Sequence, residues 1–317
     1  MSIADPWAPL PFSLRQLQYA LAVAELRSFR GAAERCRVAQ PSLSAQLAAL
    51  EDALGLALFE RTPRRVLPTG AAAELLERAR RVLLEATDLL AAARNARDPL
   101  TGTLRLGVLP TIAPYWLPHA MRRLRAAFPR LRVVWVEEKT AVLADAVRTG
   151  SLDAAVVALE APLGELEREA LFRDAFVLAV PRRHRLARGR APVRLDTLDG
   201  ERVLLLDDGH CLREQVLAVC EAHGAHERGE LRATSLPTLV QMVAQGDGVT
   251  LLPSLAIETE ARRAPLVLRP LLDTEAARTV GLVWRPRSAL GEALRRFARV
   301  LREAPPRGRR DPSRTAS

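Results

Sequence analysis

Cysteine, tyrosine and lysine are scarce in this chain: among 317 residues there are three cysteines, two tyrosines and a single lysine, Lys139. Thiols of a cytoplasmic protein are reduced at rest, so a disulfide among so few cysteines would be transient or redox-sensing. No apolar run approaches the ~20 residues of a membrane-spanning helix. Residues 1–11 lack the basic start and apolar core of a signal peptide. We therefore expect a cytoplasmic protein with no membrane partner.

Arginine and apolar residues are abundant instead. A hydrophobic content of 49% and this length predict a folded protein of two or three domains. The formal net charge of +10 suggests a nucleic-acid partner, but a genomic bias toward arginine would produce the same excess. Residues 1–68 hold eight arginines against six acidic residues. The placement of the basic residues is therefore more informative than their total.

The first third of the chain has helical periodicity from Leu14 to Leu58, with Ser28 as a candidate N-cap. A helix beginning at Gln40 would bury leucines that recur every three or four residues, and Gly55 would end it. Its opposite face carries small and polar residues, which are the candidate DNA-contacting residues Gln40, Pro41, Ser42, Ser44 and Ala45. Two short helices joined by a turn are typical of a helix-turn-helix, and equally of an ordinary helical hairpin.

Two features after this segment favour DNA binding. A short polar loop places Arg61, Arg64 and Arg65 together, as a wing that contacts phosphates would. A long helix over residues 70–93 then repeats apolar residues at spacings of three and four, which predicts a coiled-coil seam. Since little else nearby would cover that seam, we expect dimerisation through Leu75, Ala79, Val82, Ala86 and Leu89.

The motifs Ser28–Arg35, Gln40–Ser44, Leu50–Gly55 and Leu58–Thr62 together resemble the winged helix-turn-helix of LysR-type transcriptional regulators. The resemblance covers roughly residues 14–303. It implies an α/β multidomain protein with an N-terminal winged helix-turn-helix, a long linker helix and a C-terminal two-lobed α/β effector domain resembling periplasmic binding proteins. Double-stranded promoter DNA, RNA polymerase and further copies of the chain, as a homodimer and homotetramer, are the partners it implies.

The implied domains are a winged helix-turn-helix at 14–68, a linker helix at 69–97 and an effector domain at 101–303. Within the effector domain, lobe I would comprise residues 101–173 and 272–303, and lobe II residues 174–271. Alternating strands and helices predict mainly parallel sheets there. The expected strands are Thr103–Leu109, Leu131–Glu137, Asp153–Ala158, Phe176–Val180, Val203–Leu206, Val249–Leu252 and Val280–Trp284. Residues 1–13 would be an extension, and 304–317 a disordered basic tail.

Two cysteines lie nine positions apart in the effector half. Cys211 follows a turn and is flanked by His210 and Arg213, so we expect it to begin a helix whose N-terminus and cationic neighbours lower its pKa. On a continuous helix, nine residues rise about 13.5 Å. A disulfide requires Cα atoms within about 7 Å, so a bond to Cys220 would require the helix to come apart.

Thr111 and Thr140 follow the first two expected strands of the effector domain. Ligands in open α/β sheets bind outside the carboxyl ends of strands, so these hydroxyls and Cys211 are candidates to face one cleft. The segments Leu109–Tyr115, Asp208–Arg213 and Arg232–Leu236, with Cys220, resemble the hydrogen-peroxide-sensing members of the same family. That resemblance implies that Cys211 reacts with peroxide and Cys220 resolves the product. It also implies that Thr111, Thr140, His210 and Arg213 form the peroxide pocket.

Other interpretations remain open. The chain departs from these sensors at Pro237, where they have an acidic residue, and Cys36 is interpreted as a structural small residue. Zinc binding by Cys211, Cys220, His223 and His226 is disfavoured by their spacing, so no metal and no cofactor are predicted. A regulator of the same family that responds to a small organic effector is the main alternative. A thiol peroxidase would share the cysteine chemistry but leave the winged helix-turn-helix unexplained.

Overall fold

The computed structural model describes residues 9–62, 65–95, 100–189, 191–221, 226–227, 232–273 and 275–303. The chain divides into two compact units, residues 1–93 and 94–317. Among the helices of the described ranges, none is both long enough and apolar enough to cross a membrane.

The first unit is built from short, well-capped helices followed by a hairpin and a long helix. Ser13 and Gln16 form a reciprocal capping box at the start of α1, and Ser28 caps α2 by accepting a hydrogen bond from the backbone N–H of Gly31. Gly55 ends α3 in the left-handed region, with a φ of 70°. The elements are α1 (Leu14–Leu26), α2 (Phe29–Cys36), α3 (Gln40–Leu54), the antiparallel pair β1 (Phe59–Thr62) and β2 (Arg65–Pro68), and α4 (Ala72–Asn95). The predicted helix-turn-helix is therefore confirmed.

The long helix α4 packs partly against its own unit. Leu43, Leu47 and Leu50 of α3 form the centre of a core that also buries the first turns of α4 through Ala72, Leu76 and Ala79. The expectation that the seam has little else to contact is therefore wrong for these turns, because they belong to the same buried core as residues of α1 and α3. Farther along, Val82 and Leu89 are exposed and Ala86 is half-buried. Dimerisation through these residues stays a prediction.

The second unit is organised around a seven-stranded mixed sheet, which positions the cysteine helix and the residues around it. Its strands are β3 (Thr103–Val108), β4 (Arg132–Glu137), β5 (Ala154–Ala158), β6 (Glu167–Pro181), β9 (Thr250–Pro253), β10 (Leu266–Pro270) and β11 (Ala277–Trp284). A separate two-residue strand pair is formed by β7 (Arg202–Val203) and β8 (His226–Glu227). The helices are α5 (Ala113–Ala127), α6 (Thr140–Arg148), α7 (Cys211–Glu221), α8 (Leu236–Gln245), α9 (Ser254–Glu260) and α10 (Gly291–Arg302).

The prediction of mainly parallel sheets is wrong. Strand β3 is parallel to β4 and β5, but β6 is antiparallel to β9, β10 and β11. The cause is β6 itself, which has 15 residues and begins at Glu167, nine positions before the expected start. Its first half pairs with β11 and its second half with β9 and β10, so one strand runs through both lobes. The expected strand at Val203–Leu206 is reduced to β7 and isolated bridges.

The last strand and helix of the second unit return to its earlier elements, and the assignment of these elements to lobe I stays a prediction. Strand β11 pairs with β5, and α10 packs on α5 and β6. In the second lobe, Ser235 caps α8 by accepting from the N–H of Thr238. Pro237 lies in the first turn of that helix, where a missing N–H costs nothing, so this departure from the family pattern leaves the helix start intact.

Candidate functional site

Both cysteines of the effector unit lie on α7, as the sequence predicts. The turn at Gly209, with a φ of 83°, precedes the helix, which begins at Cys211 and includes Cys220. Both side chains are reduced and buried. Because nine residues of helix separate their Cα atoms by about 13.5 Å, the two sulfur atoms cannot bond while α7 is intact.

A fully buried ion pair acts on Cys211 at the start of α7, and neither of its residues is among the predicted site residues. Arg278 of β11 donates to Asp174 of β6 at 3.0 Å, and neither side chain is exposed to solvent. The same guanidinium donates to Thr111, from Nη1 to the hydroxyl at 2.8 Å and from Nη2 to the carbonyl at 3.0 Å. The other oxygen of Asp174 accepts from the Ser254 hydroxyl and the Leu255 N–H at the start of α9. Thr111 is therefore held in place by the Arg278 guanidinium, whose positive charge is neutralised by Asp174.

Thr140 brings a second hydroxyl to the thiol. It is the first residue of α6 and is buried, and its hydroxyl is close enough to the Cys211 thiol to lower the pKa of that thiol. Among the described residues, the Thr140 hydroxyl completes no hydrogen bond of ordinary geometry. A buried hydroxyl without a partner is costly, so this position favours a small polar ligand that would supply one.

The predicted lowering of the Cys211 pKa is wrong for this reduced state. Burial raises the pKa of the thiol, because the thiolate loses hydration. Thr140, then the positive charge of Arg278, lower the pKa but do not cancel the effect of burial, and Glu214 raises it further. The local cues in the sequence were therefore outweighed by desolvation, and the cation that acts on the thiol is Arg278.

His210 and Arg213 lie at the predicted position beside Cys211. Burial lowers the pKa of His210, as does the charge of Lys139, while Asp207 opposes the shift. This shift favours the neutral imidazole, which adds no positive charge beside the thiol. Arg213 pairs with Asp208 through a 3.0 Å contact between Nε and Oδ1, which braces the turn before α7. The contribution of both residues to a peroxide pocket stays a prediction.

Two polar contacts connect α7 and its preceding turn to the first lobe. The Lys139 ammonium donates to the carbonyl of Asp208 at 2.8 Å. The amide of Gln215 contacts Glu160 at 3.4 Å, and its buried oxygen has no hydrogen-bond partner within the described part of the chain. Gln215 carried no signal in the sequence. Arg278 did carry one, since a charged residue in an apolar strand must be paired if that strand is buried.

The predicted DNA-contacting residues lie on α3 and the β1–β2 hairpin. Gln40, Pro41, Ser42 and Ala45 are exposed and Ser44 is half-buried, so this face of α3 is open for contact. Arg64 and the side chains of Arg61 and Arg65 lie outside the described residues. Of the zinc candidates, His223 and the side chain of His226 also lie outside them. No cluster of three or more potential metal ligands occurs in the ranges that the structure describes.

Comparison with known proteins identifies related regulators. Residues 97–306 match the LysR substrate binding domain, and residues 14–73 match the bacterial regulatory helix-turn-helix protein of the lysR family. The DNA-binding transcriptional dual regulator OxyR of Escherichia coli is 41% identical over 290 residues, covering 92% of this chain and 95% of that protein. A full-length OxyR variant from Pseudomonas aeruginosa aligns with a TM-score of 0.74 at 31% identity, over 93% of this chain and 99% of the other. A hydrogen-peroxide-bound OxyR mutant from Corynebacterium glutamicum aligns with a TM-score of 0.63 at 36% identity, over 95% and 94% of the two chains.

Proposed function

Because the chain belongs to the LysR family of bacterial transcriptional regulators, we propose that it binds promoter DNA and senses hydrogen peroxide through a reversible Cys211–Cys220 disulfide. The single observation that carries this proposal is the surroundings of Cys211. A buried thiol lies beside the Thr140 hydroxyl and within the field of the Arg278–Thr111 network, on a helix that also carries a second thiol. Two relatives, named as a hydrogen peroxide-inducible genes activator and a probable one, support the same proposal.

The proposed chemistry takes place in two steps. The Cys211 thiolate attacks one oxygen of hydrogen peroxide, the O–O bond breaks, and a sulfenic acid and hydroxide form. Cys220 then attacks the sulfenic sulfur, a disulfide forms and water leaves. Two thiols are thus oxidised and one peroxide is reduced to two waters. Hydroxyl donors at Thr111 and Thr140 would hold the peroxide, and Arg278 would stabilise both the thiolate and the departing hydroxide.

The proposed output follows from the geometry of α7. Closing the disulfide requires this helix to unwind, which removes its contacts with the first lobe and changes the effector domain. The helix α3 and the β1–β2 hairpin would bind the DNA. Val82, Ala86 and Leu89, in the later turns of α4, would join two copies on a two-fold site. Contact with RNA polymerase and a homotetramer are part of the proposal. Peroxide is the signal in this scheme, and the protein is not an enzyme.

A promoter-binding experiment with purified protein tests the proposal. We expect reduced protein to protect a two-fold site, the protected region to change with micromolar peroxide, and the change to reverse with dithiothreitol. The affinity should fall steeply with salt, because phosphate contacts release counterions. Identical footprints before and after peroxide would contradict peroxide sensing and favour an organic effector. Repeated turnover of peroxide with a thiol reductant, at rates typical of enzymes, would favour the alternative that the protein is a thiol peroxidase.

A further inference from the structure

A buried hydrogen bond joins the two lobes away from the cysteine helix. The phenol of Tyr115, in the first turn of α5, donates to Oε1 of Glu260, the last residue of α9, at 2.9 Å. Both side chains are buried, and Glu260 is not exposed at all. The same oxygen accepts from Nη1 of Arg263 at 3.1 Å, while Oε2 has no partner among the described residues. A carboxylate this deeply buried depends strongly on each donor it has.

The bond links elements that belong to different lobes. Helix α5 packs on α10 in lobe I, whereas α9 follows directly from β9 and packs on β6 and β9 in lobe II. The start of α9 is fixed as well, because Ser254 and Leu255 donate to Asp174. Helix α9 is therefore anchored at its first and last residues.

These contacts form a closed circuit that includes Arg278, the cation whose charge acts on Cys211. Asp174 holds Arg278, Arg278 holds Thr111, and Thr111 precedes α5, whose first turn carries Tyr115. Tyr115 closes the circuit by binding Glu260 at the other end of α9. The positive charge of Arg278 acts to lower the pKa of both Tyr115 and Cys211, so the guanidinium bound to Thr111 acts on both groups. Breaking the bond would loosen the first turn of α5, which follows Thr111 directly in the chain.

We infer that the Tyr115–Glu260 hydrogen bond positions the two lobes around Cys211, so that Tyr115 and Glu260 are positioning residues for the reaction of that thiol with peroxide. The inference rests on the proposed function for its peroxide step. With the bond in place, the start of α5 is fixed next to Thr111, and Thr111 stays bound to Arg278, the cation that acts on Cys211. Without it α5 still packs on α9, but their relative position is less well fixed, so the hydroxyls lose their alignment and the thiol becomes more accessible.

The test measures two rates for Cys211 in full-length protein carrying Cys36→Ser and Cys220→Ser, which leaves one thiol. The first is oxidation by hydrogen peroxide, followed by dimedone trapping of the sulfenic acid, and the second is alkylation by iodoacetamide. In Tyr115→Phe we expect oxidation to slow at least about tenfold, since small misplacements of reacting groups have effects of this size. Alkylation should become faster. An unfolded chain would also oxidise slowly and alkylate fast, because Cys211 is buried in the folded protein, so both rates are read under conditions in which circular dichroism shows the parent's fold.

Matched variants distinguish the effect of losing the Tyr115–Glu260 hydrogen bond from the effect of leaving the buried Glu260 carboxylate without one of its donors. Glu260→Gln keeps an acceptor for Tyr115 and should leave both rates near those of the parent. The double variant Tyr115→Phe/Glu260→Gln lacks both the bond and the buried charge, so it should fold even if Tyr115→Phe does not, and it should show slow oxidation and fast alkylation. Tyr19→Phe, in the other unit, removes the only other tyrosine hydroxyl and should change neither rate.

The outcomes are distinct. Parental rates in the double variant would overturn the inference, because a change confined to Tyr115→Phe would then reflect an uncompensated carboxylate. If Cys211 of the parent failed to react with peroxide, the proposed function would fail. The alkylation rates would still decide whether Tyr115 and Glu260 hold the lobes: faster alkylation in the double variant supports that role, and an unchanged rate contradicts it.

Discussion

Replacing Cys211 by serine should abolish peroxide-dependent transcription while leaving promoter binding by the reduced protein intact. A serine hydroxyl fits the same buried position beside Thr140, but it is not ionised at neutral pH and does not reduce the O–O bond. The first unit contains the elements proposed to bind DNA and is compact by itself, so this change should not alter the affinity for DNA. Transcription from a responsive promoter, with and without peroxide, measures the effect.

Cys36→Ser is the matched control for this experiment. Cys36 is half-buried at the end of α2, outside the effector unit, and its replacement should leave the peroxide response unchanged. Cys220→Ser should leave a trappable sulfenic acid at Cys211, since the resolving thiol is gone. Full peroxide induction in Cys211→Ser would show that another group or another effector provides the signal.

Arg278→Met should slow the oxidation of Cys211 by about tenfold to a thousandfold at neutral pH, because an adjacent opposite charge shifts a pKa by about 1–3 units. Burial already raises the pKa of this thiol, so in both proteins the rate should rise with pH as the thiolate fraction grows. The profile of the variant should be displaced to higher pH. Stopped-flow measurement of the second-order rate constant from pH 6 to 9 gives both profiles.

A loss of stability accompanies this change and requires its own control. Removing one partner of a buried ion pair costs about 3–5 kcal/mol, because Asp174 is left charged and unpaired. In Arg278→Met/Asp174→Leu both charges are absent, so the free energy of unfolding should recover in part while the oxidation rate stays low; recovery is incomplete because Ser254 and Leu255 lose their acceptor. Recovery of the rate together with the stability would show that Arg278 serves only the fold.

The local features of the fold could be predicted from the sequence because local residues determine them. Ser28, Pro41 and Gly55 specify the starts and ends of short helices, and the structure places those ends where these residues predict. The direction of β6 could not be predicted in this way, since it depends on pairing with β11, a strand about a hundred residues later. The shared core of α3 and the first turns of α4 likewise depends on tertiary packing and not on local residues.

The same distinction holds at the site. Cys211, Cys220 and the two threonines were identified from strand ends and spacing, which are local features. Arg278 was missed because its partner Asp174 is 104 residues away, and only tertiary packing shows that the strand around it is buried. The direction of the Cys211 pKa shift was mispredicted for a related reason. A helix start and cationic neighbours can be recognised in sequence, but the depth of burial cannot.

Peptide mapping after oxidation tests the central claim most directly. Reduced protein is treated with micromolar hydrogen peroxide, remaining thiols are alkylated, and the digest is analysed by mass spectrometry, with hydrogen exchange recorded over residues 211–221. The account predicts a peptide pair linked between Cys211 and Cys220, loss of exchange protection in α7, and recovery of both with dithiothreitol. Alkylated Cys220 beside an oxidised but unlinked Cys211, or an α7 that stays protected, would contradict it.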